Sequence, residues 1–255
     1  MKFYNADPES LARAYPCARE AWGIFGPGDV ERSCSWLRQN LGQHIEVMLA
    51  EDDEGEIAGA TYWSWSERSL SGLAVEPGVA HIKCVWVWSM RQKQGVWKGM
   101  LGALANDLGA RGAKGILVAA TEFAGYMHRS HFEKAGFRLL GELPGEGSVI
   151  LFYPLSQESV RFSPRQMRLP GADKGMVLIH IFDNFLCPLS PAIFGRVERI
   201  GREFGERVKT VHLPASLDSL EKYGVAGGFY INGKEKIMGP ASDQEIRRAI
   251  EEELS

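Results

Sequence analysis

The chain has 255 residues, with 29 Lys+Arg against 32 Asp+Glu, for a formal net charge of −3. Its 45% apolar and 24% charged residues are those of a globular protein and exclude long disorder and collagen-like repeats, while the length suits two small domains or one large one. Residues 1–155 carry 15 basic and 18 acidic groups and residues 156–255 carry 14 of each, so neither half has the basic surplus of a nucleic-acid binder.

No apolar run approaches the ~18 residues of a membrane span. The start, Met1 to Asn5, lacks the apolar stretch of a signal peptide. The cysteines Cys17, Cys34, Cys84 and Cys187 are far apart and form no C-x-x-C pair, which argues against a disulfide scaffold or a zinc site. These features fit a cytoplasmic protein without a metal centre.

In chain order, Asp7-Pro8-Glu9-Ser10-Leu11 reads as a capped helix start, limited by Pro16. A second helix is expected from Asp29 to Leu41, with Gly42 ending it. His44–Glu51 and Ile57–Ser66, around the polar turn 52–56, predict a hairpin. A third strand is expected over Val79–Trp88, then a helix over Gly95–Leu108 and a strand buried on both faces over Lys114–Thr121. A short helix over Met127–Ala135 ends at Gly136, followed by strands at Phe137–Leu140 and Val149–Tyr153. Pro, Ser and Gly punctuate 154–175, which reads as a linker. Beyond it come a buried strand (Met176–Phe182), a helix from Pro188 to Phe204 and a strand (Val208–Leu213). A hairpin about Asn232-Gly233, with arms 228–232 and 234–237, and a terminal helix (Ser242–Leu254) complete the chain.

The junction Cys84-Val85-Trp86-Val87-Trp88-Ser89-Met90-Arg91-Gln92-Lys93-Gln94-Gly95-Val96-Trp97-Lys98-Gly99 carries the clearest chemical signal. A strand that enters a helix through a polar turn leaves N–H groups unpaired at the helix start, and the helix dipole there favours an anion. Arg91, Lys93 and Lys98 add positive charge, and a pyrophosphate suits such a site. Gly109-x-x-Gly112-x-x-Gly115 follows a helix and precedes a strand, the reverse of a dinucleotide fingerprint, and reads as a helix end and tight loop.

This junction resembles the acetyl-CoA signature [RQ]-x-x-G-x-[GA] of the GNAT acetyltransferase superfamily. Gln92 and Gly95 match it, and Trp97 stands where that family has Gly or Ala. His131-Phe132-Glu133-Lys134-Ala135-Gly136-Phe137 is similar to the family's late L-Y-E-K-x-G-F segment, with Phe132 at the tyrosine. The resemblance covers roughly residues 1–155. It implies an α/β (α+β) fold with a mixed, mostly antiparallel sheet flanked by helices. It also implies acetyl-CoA held by Val85, Trp86, Val87, Gln92, Lys93, Gln94, Gly95, Val96, Trp97 and Lys98. A strand N–H would polarise the thioester carbonyl. Glu122 is the candidate base, and Tyr126 or His131 is the candidate acid in place of Phe132. Trp97 either occludes the phosphate path or turns into the core. Trp63, Trp65, Trp86 and Trp88 are core or an aromatic acceptor cleft.

Strand, Cys187-Pro188-Leu189-Ser190, helix, strand, helix, hairpin, helix is the order of a thioredoxin-like unit. C-P-x-S resembles that family's monothiol site, although Ala226-Gly227-Gly228 stands where its proline would be. A cysteine at a helix start is expected to have a lowered pKa. The pairing of both segments resembles bacterial YoaP-like acetyltransferases: an acetyltransferase domain at 1–155, a linker at 156–175 and a thioredoxin-like domain at 176–255. The expected function is acetyl transfer to a small-molecule or peptide amine, with a second copy of the chain as a candidate partner. The alternatives are a non-catalytic CoA-binding or interaction module and a monothiol redox protein.

Overall fold

Apolar strands, several of them buried along most of their length, build one sheet from the first half of the chain in the computed structural model, which describes residues 1–20, 24–122, 126–143, 147–237, 239 and 241–255. Its strands are β1 (Lys2–Asn5), β2 (Glu46–Glu51), β3 (Ile57–Trp65), β5 (Val79–Val87), β6 (Gly115–Thr121), β7 (Arg138–Glu142) and β8 (Ser148–Pro154). They lie in the order β1-β2-β3-β5-β6-β8-β7. All neighbours are antiparallel except β5 and β6, so the fold is mixed α/β with a mostly antiparallel sheet, as expected. The remaining pair in this half is β4 (Leu73–Val75) with β9 (Phe162–Pro164).

The α-helices among the described residues are α1 (Pro27–Asn40), α2 (Val96–Ala110), α3 (Arg129–Glu133), α4 (Leu189–Glu203), α5 (Leu217–Tyr223) and α6 (Asp243–Leu254). Helix α2 covers one face of the sheet. Leu101, Leu104 and Leu108 recur at helical spacing and meet Trp63, Ala80, Ile82 and Val118 in the main core. Val79, Leu117, Ile150 and Phe152 belong to a separate cluster with Leu73 and Val160. A Cβ on Gly99 would lie 2.1 Å from the Phe3 ring, so glycine lets β1 and α2 approach.

Two local expectations fail. The segment after Asp7 forms two short 3-10 turns, Ser10–Arg13 and Pro16–Arg19, and no α-helix. Asp7 and Ser10 do exchange the reciprocal bonds of a cap, but Pro16 stops the helix from lengthening. In the hairpin after β12 (Gly228–Ile231), Asn232 and Gly233 take the expected positive φ values of 48° and 72°. The second arm is reduced to a single bridge, Ile231 to Lys234. The side chains of Lys236 and Lys234 pair with Glu253, and these ammonium groups hold its carboxyl down to about 2.

By contact, the chain groups into two units. One is Met1–Glu20, Arg38–Ser69 and Leu73–Pro164; the other is Ala21–Leu37, Leu70–Gly72 and Arg165–Ser255. In the second, β10 (Val177–Phe182) pairs parallel with β11 (Val208–Leu213) and antiparallel with β12. Helices α4 and α6 bury Ile193, Val197, Ile200, Ile246 and Ile250 in a core with Ile179 and Ile231. Helix α6 starts with a capping box in which Ser242 and Glu245 satisfy each other's backbone N–H groups.

His212 on β11 lies 2.7 Å from Asp183 Oδ1 and 2.6 Å from Glu198 Oε1. Partial burial lowers its pKa, but the hydrogen bonds to both carboxylates outweigh it and leave the imidazole raised. A group raised on folding stabilises fully below its unfolded pKa of ~6.5, and this is lost as pH rises through the folded value. His212→Gln is therefore expected to lower Tm at pH 6 clearly more than at pH 9. Equal shifts in thermal melts at the two values would contradict this.

Candidate active site at the end of β5

Strand β5 pairs with β6 over four residues only, Val79–Ile82 against Gly115–Val118. Strand β6 continues to Thr121 against β8, while β5 continues to Val87 against β3. From residue 83 onward the β6-side edge of β5 therefore has no strand partner among the described residues. Those backbone groups need another partner. Between the pairs Trp63–Ile82 and Tyr62–Cys84 the register slips by one residue, so Lys83 is a bulge.

Beyond β5 a 3-10 turn (Ser89–Arg91) leads into α2. Lys93 (φ 61°) and Gly95 (φ 80°) both adopt the left-handed conformation. Such alternation turns successive N–H groups inward as an anion-binding concavity. Gly95 is the residue before α2, makes no side-chain cap, and no acidic residue occupies the first turn. The N–H groups of Val96, Trp97 and Lys98 have no acceptor inside the helix. A Cβ on Gly95 would meet nothing within 4 Å.

The charges differ in their availability. Arg91 is spent on Asp52, at 2.6 Å, in the turn before β3. The N–H of Glu56 and the Arg91 guanidinium together hold the Asp52 carboxyl below the usual carboxylate range. Gln92 Nε2 donates to Val87 O at 3.2 Å and Gln94 Nε2 to Met90 O at 2.9 Å, which fixes the turn. Lys93 and Lys98 are exposed and make no ion pair among the described residues. The residues expected to hold the cofactor thus lie together, Val85–Val87 on the open edge and Gln92–Lys98 at the helix start, with Arg91 serving as a brace.

Trp97 turns inward. Its ring meets Phe132 edge-on at 5.6 Å and 77°, and it packs against the main core. Its Nε1 is buried without a partner among the described residues. Phe132 is 3% exposed and also meets Phe137, so it is an apolar anchor joining α3 to α2.

Because β5 and β6 run parallel, their C-terminal ends emerge on the same side of the sheet. Glu122, Tyr126 and His131 follow the end of β6. Glu122 is exposed and bound to Arg129 at 2.7 Å. The Arg129 guanidinium, raised by Glu133 and then Glu122, stays cationic. Tyr126 is 41% exposed, and its carbonyl accepts the Thr121 hydroxyl, which ties this segment to β6. His131 is exposed on α3, 6.2 Å from the His128 ring.

The four tryptophans divide. Trp63 is fully buried core and Trp65 packs edge-on against it at 5.6 Å. Trp86 Nε1 donates to Glu20 at 2.9 Å, and Arg19 lies over Trp88 at 5.3 Å. This second pair lines the region around the end of β5.

No known family profile matches the chain, and no curated protein does. Among solved structures, the chain is similar to a putative GNAT-family acetyltransferase from Desulfovibrio desulfuricans, with 17% identity, 61% of this chain and 99% of that one covered, and a TM-score of 0.46. It is also similar to the Escherichia coli GNAT N-acetyltransferase YhbS solved with CoA (16% identity, 61% and 81% covered, TM-score 0.45). A GNAT acetyltransferase from Brucella melitensis solved with acetyl-CoA gives 15% identity, 62% and 90% covered, and a TM-score of 0.41.

Two features escape a reading of the sequence. Lys83 and His81 bond to each other inside the sheet, and the second partner of Lys83, Ser69, lies in a different segment. Cys187 departs from expectation in sign. The residue is exposed, yet crowding around its sulfur pushes the thiol up, and the N–H groups of Leu189 and Ser190 pull the other way without reversing it. Iodoacetamide labelling of Cys187 is expected to rise with pH through a midpoint above the ~8.5 of an ordinary thiol. A midpoint near 7 would contradict the desolvated environment.

Proposed function

We propose that the chain is an acetyl-CoA-dependent N-acyltransferase acting on a primary amine of a small molecule or peptide. The observation that carries this reading is the uncapped start of α2, with its left-handed turn at Lys93 and Gly95, placed directly after an unpaired strand edge. The backbone N–H groups of 94–98, with Lys93 and Lys98, suit a pyrophosphate. The edge of residues 83–87 can hold an extended amide chain as a strand would, and can offer an N–H to the thioester oxygen.

Transfer then asks little more of the protein. The acceptor nitrogen attacks the thioester carbonyl, the C–N bond forms, and the C–S bond breaks. Tyr126 and His131, beyond β6, are the proposed proton donors to the thiolate. With a thiol pKa of about 8.5, that thiolate also leaves unaided. Glu122 is the proposed base, and accepting a proton costs it the ion pair with Arg129.

The second unit is read as thioredoxin-like: a parallel β10–α4–β11 unit with an antiparallel β12 supports that order. The loop before β12 lacks a proline and Cys187 has a raised pKa, which favours docking over thiol exchange. The full chain is then YoaP-like in organisation.

The test is release of CoA thiol from acetyl-CoA in the presence of a lysine peptide, kanamycin or spermidine. Amine-dependent release supports transfer. Phe132 in place of a tyrosine favours a second reading, a binding module, and acetyl-CoA binding without turnover for any of the three would support that instead.

A further inference from the structure

Lys83 is the first residue of β5 beyond its pairing with β6, and it forms the bulge. Its Nζ lies 2.8 Å from His81 Nδ1 and donates to Ser69 Oγ. His81 and Ser69 are each 4% exposed. Ala80 and Ile82 belong to the α2 cluster, whereas Val79 belongs to the opposite one. His81, two residues from Val79, is on that opposite face, and the Lys83 amine is there with it.

No carboxylate reaches this amine among the described residues. The charged and titratable groups on neighbouring elements are engaged elsewhere. Glu67 accepts from Ser66 and from the Gly78 N–H. Arg68 donates to Gly42 O, and Glu20 is taken by Trp86 and Ser89. On β3 the Tyr62 hydroxyl donates to Ala14 O, and β6 offers only apolar side chains at 116–120.

Burial alone therefore sets the amine, bringing Lys83 down to about 7. Burial, and then the Lys83 charge, hold His81 well below the usual histidine range. Near neutral pH much of Lys83 is then an uncharged amine. One N–H is given to Ser69, the bond with His81 Nδ1 runs in the direction the imidazole tautomer sets, and where the amine donates it the lone pair is left for another atom.

We propose that Lys83 is a self-acylation site, taking an acetyl group from acetyl-CoA held along the open edge of β5. This rests on the cofactor reading above. The Nζ lone pair attacks the thioester carbonyl carbon, a C–N bond forms, and the C–S bond breaks. The proton that Nζ loses goes to the departing thiolate, so the products are Nε-acetyl-Lys83 and CoA thiol. The amide is uncharged, which removes the cost of a buried cation without a counter-charge. It keeps one N–H for His81.

The test incubates the full chain with acetyl-CoA at pH 7 and maps acetyl-lysine by peptide mass spectrometry, while calorimetry on the same sample measures acetyl-CoA binding. Against an ordinary lysine of pKa ~10.4, the neutral fraction at pH 7 is on the order of a thousandfold larger. Lys83 is therefore expected to label at least about tenfold faster than exposed Lys134 or Lys209, even allowing for its lower nucleophilicity. Its rate should level off above about pH 7 while theirs keep rising. Gly95→Asp, which leaves Lys83 in place, should lose the label together with the binding. Bound acetyl-CoA with an unlabelled Lys83, or a label unchanged in Gly95→Asp, overturns self-acylation while sparing the cofactor site. Absence of binding overturns both.

Discussion

Gly95→Asp is expected to weaken acetyl-CoA binding by about a hundredfold or more, some 2.7 kcal/mol, while the protein stays folded. The position decides both halves of this result. Gly95 precedes α2 with φ 80°, and a Cβ there meets nothing within 4 Å, so no clash disrupts the fold. A carboxylate at that place accepts the N–H groups of the first helical turn, as aspartate does at helix starts generally. The donors proposed for the pyrophosphate are then occupied, and a negative charge stands in front of them. Left-handed backbone costs a non-glycine residue ~1–2 kcal/mol, a shift of a few degrees in Tm for a chain of this size. Gly95→Ala separates the effects, since it carries the strain without the charge and should bind within about tenfold of the parent. Equal loss in both variants, by calorimetry, would mean that backbone shape and not donor occupancy controls the site.

Trp97→Ala is expected to cost ~3–5 kcal/mol of stability, as large core truncations do, and to leave acetyl-CoA affinity nearly unchanged in the folded fraction. The ring packs edge-on against Phe132 at 5.6 Å, which in turn meets Phe137 at 5.5 Å. Removing it opens the contact between α2 and α3. Since single domains are stable by about 5–15 kcal/mol, the loss is a large part of the whole. Trp97→Phe should cost much less, because it keeps an aromatic ring and deletes an Nε1–H that has no partner among the described residues. Chemical denaturation of the three proteins checks this order. Tighter binding in Trp97→Ala, with unchanged stability, would show that the indole stands in the phosphate path.

Much of the β5–turn–α2 junction was legible because local signals agree there. Alternating apolar residues, a polar turn, a glycine and then helical spacing leave few other conformations. Phe132 was recognisable as a departure, and its burial follows from its place on the inner side of a one-turn helix. The misses have non-local causes. Lys2–Asn5 is a short edge strand, fixed by pairing with β2 and by Phe3 over Gly99. Leu73–Val75 and Phe162–Pro164 find each other across nearly ninety residues, and neither segment has a strong pattern of its own. The arm after Gly233 keeps one backbone bridge, and its Lys234 and Lys236 pair with Glu253 on α6, a partner distant in sequence. Lys83 looks like an ordinary surface lysine in the sequence. Only the bulge, and a serine from the turn after β3, make it a half-buried amine held against His81.

The most direct measurement is a crystal structure of the chain grown with CoA. The account predicts pyrophosphate oxygens within hydrogen-bond distance of the N–H groups of residues 94–98, with Lys93 or Lys98 alongside. The pantetheine chain should lie along the open edge of Lys83–Val87, and the thiol should point toward the end of β6. CoA bound away from the start of α2, or crossing this edge without touching its backbone, would contradict it.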